Sequence, residues 1–272
     1  MFIFTPEKLR EKSAALKKAA TANAIKNRIG HIAPSLSCAE ILTVLYYSVM
    51  RCSEYPSEET DHFILSKAHG CYVLYEILSD LGRLPRKYWE NISTGKQLSG
   101  CVERHPEWGM EASCGALGHG FPMAVGLAWG LKLQKKPFRV YCLVGDGELQ
   151  EGTNWEAAQA AAHLELDNLC VIVDGNGLQA MDFLKNIMTT DNPRMEYIQK
   201  FSAFGFQTFS CNGHDPAELL KTFDKAAGTR KVPSLIYAET IKGYGLKAIE
   251  NIAKFHYRLP NEDELRAGWR DE

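Results

Sequence analysis

The sequence lacks the features that would indicate a nucleic-acid-binding, membrane or secreted protein. Its 31 lysines and arginines nearly balance 33 aspartates and glutamates, without a basic block, so we expect neither nucleic acid nor an anionic membrane as a partner. No stretch approaches the roughly 20 apolar residues that a membrane helix needs. The eight cysteines are scattered without a C-x-x-C pair, and no secretory leader precedes them. These absences predict reduced thiols and a cytoplasmic protein.

Internal repeats, low-complexity tracts and a linker rich in proline or serine are also absent. The chain has 272 residues, of which 45% are hydrophobic and 24% are charged, and this is ordinary globular composition. Since domains average about 150 residues, one large domain or two small ones would fit this length. Without a linker, we expect a single domain over residues 1–272.

Apolar runs alternate with helical patterns along the second half of the chain. The predicted strands are residues 140–144, 169–173, 206–210 and 234–239, with a short apolar run at 63–65. The predicted helices are residues 5–26, 37–49, 69–81, 125–133, 155–163 and 216–226, with a helical tail after 261. Residues 95–114 have the character of a loop. This alternation predicts an α/β fold with a doubly wound parallel sheet and helices on both faces.

Two predicted strands end in unusual polar loops. Gly145-Asp146-Gly147 follows the strand at 140–144, and Asp174-Gly175-Asn176-Gly177-Leu178 follows the strand at 169–173. Ligands of parallel α/β sheets bind beyond the carboxyl ends of the strands, so Asp146 and Asn176 are expected to lie close together. Their oxygens suit Mg²⁺ that holds a diphosphate. Either loop alone would indicate only a turn, but the pair at successive strand ends favours a site.

Several motifs in the same order resemble the thiamine diphosphate-binding motif and its surroundings in the N-terminal domain of transketolase. The similarity covers nearly the whole chain. The motifs are Gly30-His31, Leu65-Ser66-Lys67-Ala68-His69-Gly70, Arg104-His105-Pro106-Glu107, Gly115-Ala116-Leu117-Gly118-His119-Gly120 and the two polar loops. The resemblance implies the diphosphate-binding module of a thiamine diphosphate enzyme, with thiamine diphosphate and Mg²⁺ or another divalent cation as cofactors.

The resemblance also implies roles for individual residues. Asp146 and Asn176 would ligate the metal through side chains, and Leu178 through its main-chain carbonyl. The residues implied to contact the cofactor are His69, Gly115, Leu117, Gly145, Gly147, Asn176 and His256. The residues implied to be catalytic are His31 and His105, which would contact the donor sugar and assist proton transfer, and Glu151, which would link two cofactor sites of a dimer.

Other polar residues are expected to be structural. His62, His163 and His214 are predicted to be structural or surface histidines, and His119 is left open between the two classes. Cys114 and Cys142 are expected to be small buried hydrophobic residues. Glu148 is predicted to be an exposed carboxylate at a helix start, where the helix dipole favours it.

The chain departs from related chains at two places near these motifs. Gly175 stands where a basic residue is often found, and residues 180–183 lack the usual Asp-Gly turn. The metal ligands are unaffected by either change. We expect the departures to alter the entrance for the substrates.

In the resembling enzymes, a glutamate of a second, pyrimidine-binding domain assists cofactor deprotonation. The sequence contains no segment that resembles this domain. The resemblance therefore implies the N-terminal subunit of a split transketolase, which transfers a two-carbon ketol unit from a ketose phosphate to an aldose. Its expected partner is a separate pyrimidine-binding C-terminal subunit, with two copies of each chain in the assembly.

Two alternatives remain for a chain with these motifs. It could belong to another thiamine diphosphate enzyme, such as a 1-deoxyxylulose 5-phosphate synthase or a 2-oxo acid dehydrogenase component. It could also be a non-catalytic subunit that binds the cofactor or has a regulatory role. His31 and His105 together favour ketol transfer. A Rossmann dehydrogenase is disfavoured because no strand leads into a G-x-G-x-x-G loop.

Overall fold

Five parallel strands form one sheet in the order β1-β2-β3-β5-β4. The computed structural model describes residues 4–51 and 59–270, so Cys52 lies outside the described residues. The strands are β1 His62–Leu65, β2 Val140–Gly145, β3 Leu169–Gly175, β4 Gln207–Asn212 and β5 Ser234–Glu239. The predicted parallel α/β sheet is confirmed. Its strand order brings β5 beside β3, with β4 at the edge.

Ten α-helices occur in the described residues. They are α1 Pro6–Lys26, α2 Ile32–Ser37, α3 Ala39–Val44, α4 Cys71–Asp80, α5 Arg86–Glu90, α6 Gly120–Leu133, α7 Gly152–His163, α8 Pro193–Ala203, α9 Pro216–Ala227 and α10 Glu262–Arg266. A π-helical turn at Leu45–Val49 follows α3, and short 3₁₀ turns connect several other elements. None of the described helices has both the length and the apolar character required to cross a bilayer.

Aromatic contacts divide the helices that cover the sheet into two groups. Phe121 of α6 and Trp155 of α7 both pack against Phe201 of α8. In the other group, Phe223 of α9 packs edge-on against Tyr141 of β2, and α9 contacts α1 and α3. The central strands β2 and β3 are almost wholly buried between these groups, which explains their continuous apolar sequences.

The helix predicted over residues 37–49 is wrong in its limits. The helical structure begins five residues earlier, at Ile32, and it consists of α2, α3 and the π-helical turn. Cys38 interrupts it with φ −105° and ψ 12°. Pro34 lies in the first turn of α2, where proline is tolerated because its missing N–H has no partner there. The sequence pattern also did not predict α5 or α8.

Candidate active site

A cavity of about 240 Å³ lies where the carboxyl ends of β1, β2, β3 and β5 converge. Each of these strands passes directly into a loop that contributes to its walls, as expected for a parallel sheet. Ten of the twelve predicted site residues line this cavity. They are His31, His69, Gly115, Leu117, Gly145, Asp146, Gly147, Asn176, Leu178 and His256.

Asp146 and Asn176 provide side-chain oxygens at the ends of β2 and β3. The Asp146 carboxylate is 1% exposed and accepts hydrogen bonds from the backbone N–H groups of Gly147, at 2.8 Å, and Gly177, at 2.5 Å. The Asn176 side-chain oxygen accepts from the Leu178 N–H at 3.0 Å. Burial, together with the nearby Asp174 carboxylate, raises the pKa of Asp146 to about 7. A cation beside this buried carboxylate would therefore be favoured.

A buried ion pair forms the floor beneath these oxygens. The Lys67 ammonium, which follows β1, contacts the Asp174 carboxylate and also donates to the Pro34 carbonyl at 2.9 Å. Asp174 accepts further hydrogen bonds from Ser37 and from the Asn176 amide, at 2.6 and 3.1 Å. These contacts join the ends of β1 and β3 to α2. Through the Asp174 carboxylate, they restrain the Asn176 side chain.

Three of the predicted histidines meet in one cluster at the cavity wall. The ring centroids of His31 and His69 are 5.4 Å apart, and His256 lies 5.4 Å from His31 and 5.0 Å from His69. Burial lowers the pKa of His31 to about 4 and that of His256 to about 3, with a further contribution from Lys242, and burial also lowers the pKa of His69. All three imidazoles are neutral near pH 7. His31 Nδ1 is buried without a hydrogen-bond partner, an unsatisfied polar atom of the kind that calls for an explanation.

Sequence reasoning missed Lys242, a buried cation in the same wall. Lys242 is 2% exposed and its ammonium contacts the carbonyls of Leu178 and Gln179, at 3.4 and 3.1 Å, and His256 Nδ1 at 2.8 Å. Burial lowers its pKa to about 8, with nearby Lys67 as a further cause. A lysine three residues after the end of the buried strand β5 was the signal that could have identified it. It provides positive charge beside the predicted metal ligand Leu178.

His105 and Glu151 lie outside the cavity lining. His105 stacks on Trp108 with a centroid distance of 4.4 Å, and its Nδ1 lies 3.0 Å from a Glu107 carboxylate oxygen. Glu151 is exposed between the 3₁₀ turn Gly147–Gln150 and α7. The roles implied for these two residues stay predictions, as do the roles implied for the ten residues that line the cavity.

The prediction that Glu148 is an exposed carboxylate is wrong. Glu148 is 2% exposed, and it accepts hydrogen bonds from the Ser66 hydroxyl and from the N–H groups of Gly118 and Gly145. Because the carboxylate meets donors from three separate segments, it joins the end of β1 and the turn before α6 to the loop after β2. The helix-start pattern in the sequence contains no information about these distant donors.

The remaining histidines and the two cysteines that the sequence analysis discussed are either buried in the core, paired with a carboxylate or exposed. His62 contacts Glu111, His214 is buried against Glu40, and His163 is exposed. His119, whose class the sequence left open, is exposed, and its Nδ1 lies 2.9 Å from the Leu117 carbonyl. Cys114 and Cys142 are fully buried free thiols, which confirms their prediction.

The structure explains the two departures near the polar loops. A Cβ atom at Gly175 would lie 2.3 Å from a ring carbon of Tyr237, so the tyrosine on β5 excludes any side chain there. In the second segment, Leu178 and Phe183 form an isolated bridge, and the Gln179 N–H donates to the Asp182 carbonyl at 3.1 Å. This turn closes without glycine and leaves Met181 76% exposed.

The donor set fits a hard divalent cation and a diphosphate group. Asp146, Asn176 and Leu178, which carry one carboxylate, one amide oxygen and one carbonyl, line the same cavity as His69, His256 and Lys242. In the described part of the chain, no group of three or more His, Cys, Asp or Glu side chains could hold a metal by itself. A cation at this place would therefore need additional oxygens, and Mg²⁺ commonly takes them from phosphate and water.

Comparisons with known proteins agree with this geometry. Residues 10–270 match the family described as transketolase, thiamine diphosphate binding domain. The chain is 37% identical over 263 residues to an apulose-4-phosphate transketolase subunit of Actinobacillus succinogenes, covering 95% of this chain and 94% of that protein. It is 31% identical over 258 residues to the 6-deoxy-6-sulfo-D-fructose transketolase subunit SqwG of Clostridium sp. (strain MSTE9), covering 93% and 92%.

Solved transketolases share the fold. The Campylobacter jejuni transketolase superimposes with a TM-score of 0.86 at 28% identity, and the match covers 95% of this chain and 41% of that one. For the Leishmania mexicana transketolase, the TM-score is 0.84 at 27% identity, with 97% and 40% covered. The chain thus spans about two fifths of these structures, but nearly the full length of the two subunits. It belongs to the transketolase family and contains the family's thiamine diphosphate-binding domain.

Proposed function

We propose that this chain is the diphosphate-binding subunit of a split transketolase, which transfers a two-carbon ketol unit from a ketose phosphate to an aldose. The observation that carries the proposal is the single cavity that gathers Asp146, Asn176 and three neutral histidines at the strand ends. The similar subunits named for apulose-4-phosphate and 6-deoxy-6-sulfo-D-fructose transketolases support ketol transfer by this kind of chain. The cytoplasm, as predicted from the sequence, is its proposed location.

The proposed cofactors are thiamine diphosphate and Mg²⁺. When bound, thiamine diphosphate supplies a carbanion centre that attacks a carbonyl and then stores the resulting negative charge. Asp146, Asn176 and the Leu178 carbonyl would hold the metal, and Gly147, His69 and Lys242 would contact the diphosphate. Gly115 and Leu117 also line the cavity and would lie against the rings.

His31 is the proposed substrate-facing residue. Its imidazole is neutral and its Nδ1 lacks a partner, so it can accept a proton or a hydrogen bond from a sugar hydroxyl. His105 would reach substrate from outside the cavity lining, and His256 would lie between the phosphates and His31. The single diphosphate-binding domain thereby carries both cofactor contacts and substrate contacts.

The chain would work with a separately encoded pyrimidine-binding subunit, in an assembly with two copies of each chain. The two subunit relatives, which have nearly the same length as this chain, support a separate partner. Exposed Glu151 would link paired cofactor sites across the two-fold axis. The other thiamine diphosphate reactions and a non-catalytic subunit are the alternative outcomes of the following experiment.

Asp146→Ala tests the cofactor and metal assignment. Loss of the carboxylate should weaken Mg²⁺-dependent binding of thiamine diphosphate at least about 10-fold, because even outer-shell partners of metal ligands typically change metal affinity by that much. Calorimetry of the chain assembled with its partner measures this affinity, and a ketol-transfer assay of the same sample measures activity. Asp167→Ala is the matched control, since Asp167 precedes β3 at the opposite edge of the sheet.

Unchanged cofactor affinity in Asp146→Ala would contradict the metal assignment. Cofactor binding without ketol transfer, but with 1-deoxyxylulose 5-phosphate synthesis or 2-oxo acid decarboxylation, would move the chain to one of those reactions. Cofactor binding without any of these reactions would favour the non-catalytic subunit.

A further inference from the structure

A second buried polar cluster lies outside the cavity and connects to it through the backbone. It consists of Ser13 and Lys17 on α1, Glu40 on α3, His214 after β4, and Tyr244 after β5. The side chains of Lys17, Glu40 and His214 are 0%, 4% and 6% exposed. Because buried charged groups are costly to desolvate, a cluster of this kind needs a structural or functional explanation.

Glu40 stands at the centre of the cluster and uses both carboxylate oxygens. Oε1 accepts from the Lys17 ammonium at 2.8 Å and from the Ser13 hydroxyl at 2.9 Å. Oε2 contacts His214 Nδ1 at 2.9 Å. These contacts, with burial opposing them, hold the pKa of Glu40 below its ordinary value. Glu40 is therefore a fixed acceptor for His214.

The other ring nitrogen of His214 contacts the backbone that carries Lys242. His214 Nε2 lies 2.8 Å from the Ile241 nitrogen. A backbone N–H can only donate, so Nε2 must accept and Nδ1 must carry the proton that it donates to Glu40. The His214 ring also stacks on Tyr244 with a centroid distance of 3.6 Å, which restrains the chain on the other side of Lys242.

From these contacts, and on the basis of the proposed function, we infer that His214 is a positioning residue for the cofactor. It fixes the backbone on both sides of Lys242 through Ile241 and Tyr244, so that the Lys242 ammonium points at the diphosphate end of the cavity. Lys242 is 2% exposed, and its ammonium lies near the Leu178 carbonyl. A small backbone shift here would move a buried cation away from the phosphates.

Binding of Mg²⁺-pyrophosphate to the full-length chain tests this inference by calorimetry, since this chain holds the diphosphate end. His214→Phe keeps a flat ring against Tyr244 but removes the acceptor for Ile241, and we expect pyrophosphate affinity to fall about 10-fold. His214→Gln should restore much of the affinity, because its amide oxygen can occupy the position of Nε2. Ser13→Ala, which removes a hydrogen bond on the far side of Glu40, should lower the unfolding temperature without changing affinity.

A double-mutant cycle with Lys242→Ala decides whether His214 acts through Lys242. If it does, His214→Phe should have almost no further effect on affinity in the Lys242→Ala background. Equal effects of His214→Phe in both backgrounds would overturn the inference, as would unchanged affinity in His214→Phe. If Lys242→Ala itself leaves pyrophosphate affinity unchanged, then the proposed diphosphate role of Lys242 fails, and the inference fails with it.

Discussion

Individual histidines of the cavity differ in their contacts, and this difference predicts separate kinetic roles. His31 has an unpaired ring nitrogen, whereas His69, which packs against both His31 and His256, is the motif histidine implied to contact the diphosphate. His31 also has φ 63°, a left-handed conformation that asparagine tolerates better than most residues. Asparagine is thus the substitution that alters the side chain with the least backbone strain.

We predict that His31→Asn and His69→Ala affect different steps. His31→Asn should lower kcat/KM by about 10²- to 10⁴-fold if the imidazole performs acid–base work, while cofactor affinity stays within about twofold of the wild type. His69→Ala should instead weaken thiamine diphosphate binding and leave kcat at saturating cofactor closer to normal. Steady-state kinetics and calorimetry of the assembled complex measure both quantities. Identical profiles for the two variants would contradict the separate roles.

The buried position of His31 also predicts a pH-dependent stability. Its pKa is about 4 in the folded chain, below the ordinary value of 6.5, so the unfolded chain binds the proton more tightly. The contribution of His31 is present above about pH 6.5 and is lost as the pH falls towards 4. Since the side chain is partly exposed, we expect a loss of about 1 kcal/mol between pH 7.5 and pH 5.

Urea unfolding of the cofactor-free wild type and His31→Asn at both pH values measures this effect. The variant lacks the titrating group, so its unfolding free energy should not include this loss. Relative to wild type, the variant should therefore be about 1 kcal/mol more stable at pH 5 than it is at pH 7.5. A constant difference across this pH range would show that His31 is not buried in its neutral form.

At the scale of secondary-structure elements, the sequence predicted what depends on local pattern. The buried strands β2, β3 and β5 were located from their apolar runs, and the predicted helix at 5–26 is α1, whose start is marked by Thr5 and Pro6. The polar loops at the ends of β2 and β3 followed from this placement. Most of the cavity was thus predictable, because parallel strands bring their carboxyl ends to one edge.

Features that depend on distant contacts were not predictable in the same way. Placing β5 between β3 and β4 brings Lys242 to the cavity, but nothing in the local pattern gives this strand order. Glu148 has the same local signature as a solvent-exposed carboxylate at a helix start, and only the folded chain supplies Ser66 and Gly118 as donors. Sequence reasoning therefore located the candidate ligands at the strand ends and missed the buried groups that support them.

The corrected position of Glu148 leads to a stability prediction. Glu148→Ala would leave the N–H groups of Gly118 and Gly145 and the Ser66 hydroxyl without their carboxylate partner. Unsatisfied buried donors cost about 1 to 3 kcal/mol each, and partial hydration reduces the sum, so we expect unfolding free energy to fall by about 3 kcal/mol. Urea unfolding monitored by circular dichroism measures the change.

Glu151→Ala is the matched control for this stability test. It removes an exposed carboxylate three residues away, and it should change the unfolding free energy by less than about 0.5 kcal/mol. Equal effects of the two substitutions would mean that the buried hydrogen bonds of Glu148 contribute nothing beyond those of a surface carboxylate.

At the scale of the whole molecule, the cavity walls predict that this chain needs a partner for activity. The end of the cavity proposed to hold the phosphates has buried groups, among them Asp146 and Lys242. At the end proposed for the rings, Leu117 is 37% exposed and Gly115 is also exposed. Cofactor rings lying against these residues would face solvent on one side. Binding by the chain alone should accordingly be weak.

We therefore predict that the purified chain shows no ketol transfer, and that activity appears when a pyrimidine-binding subunit is added. The assay uses a ketose phosphate donor and an aldose acceptor with saturating Mg²⁺ and thiamine diphosphate, with and without that subunit, while mass photometry of the mixture measures the assembly. The expected particle contains two copies of each chain, because a closed two-fold arrangement would pair the cofactor sites near Glu151. Full turnover by this chain alone would contradict the split-enzyme proposal. Activity in a particle with one copy of each chain would contradict only the prediction that two cofactor sites are paired across a two-fold axis.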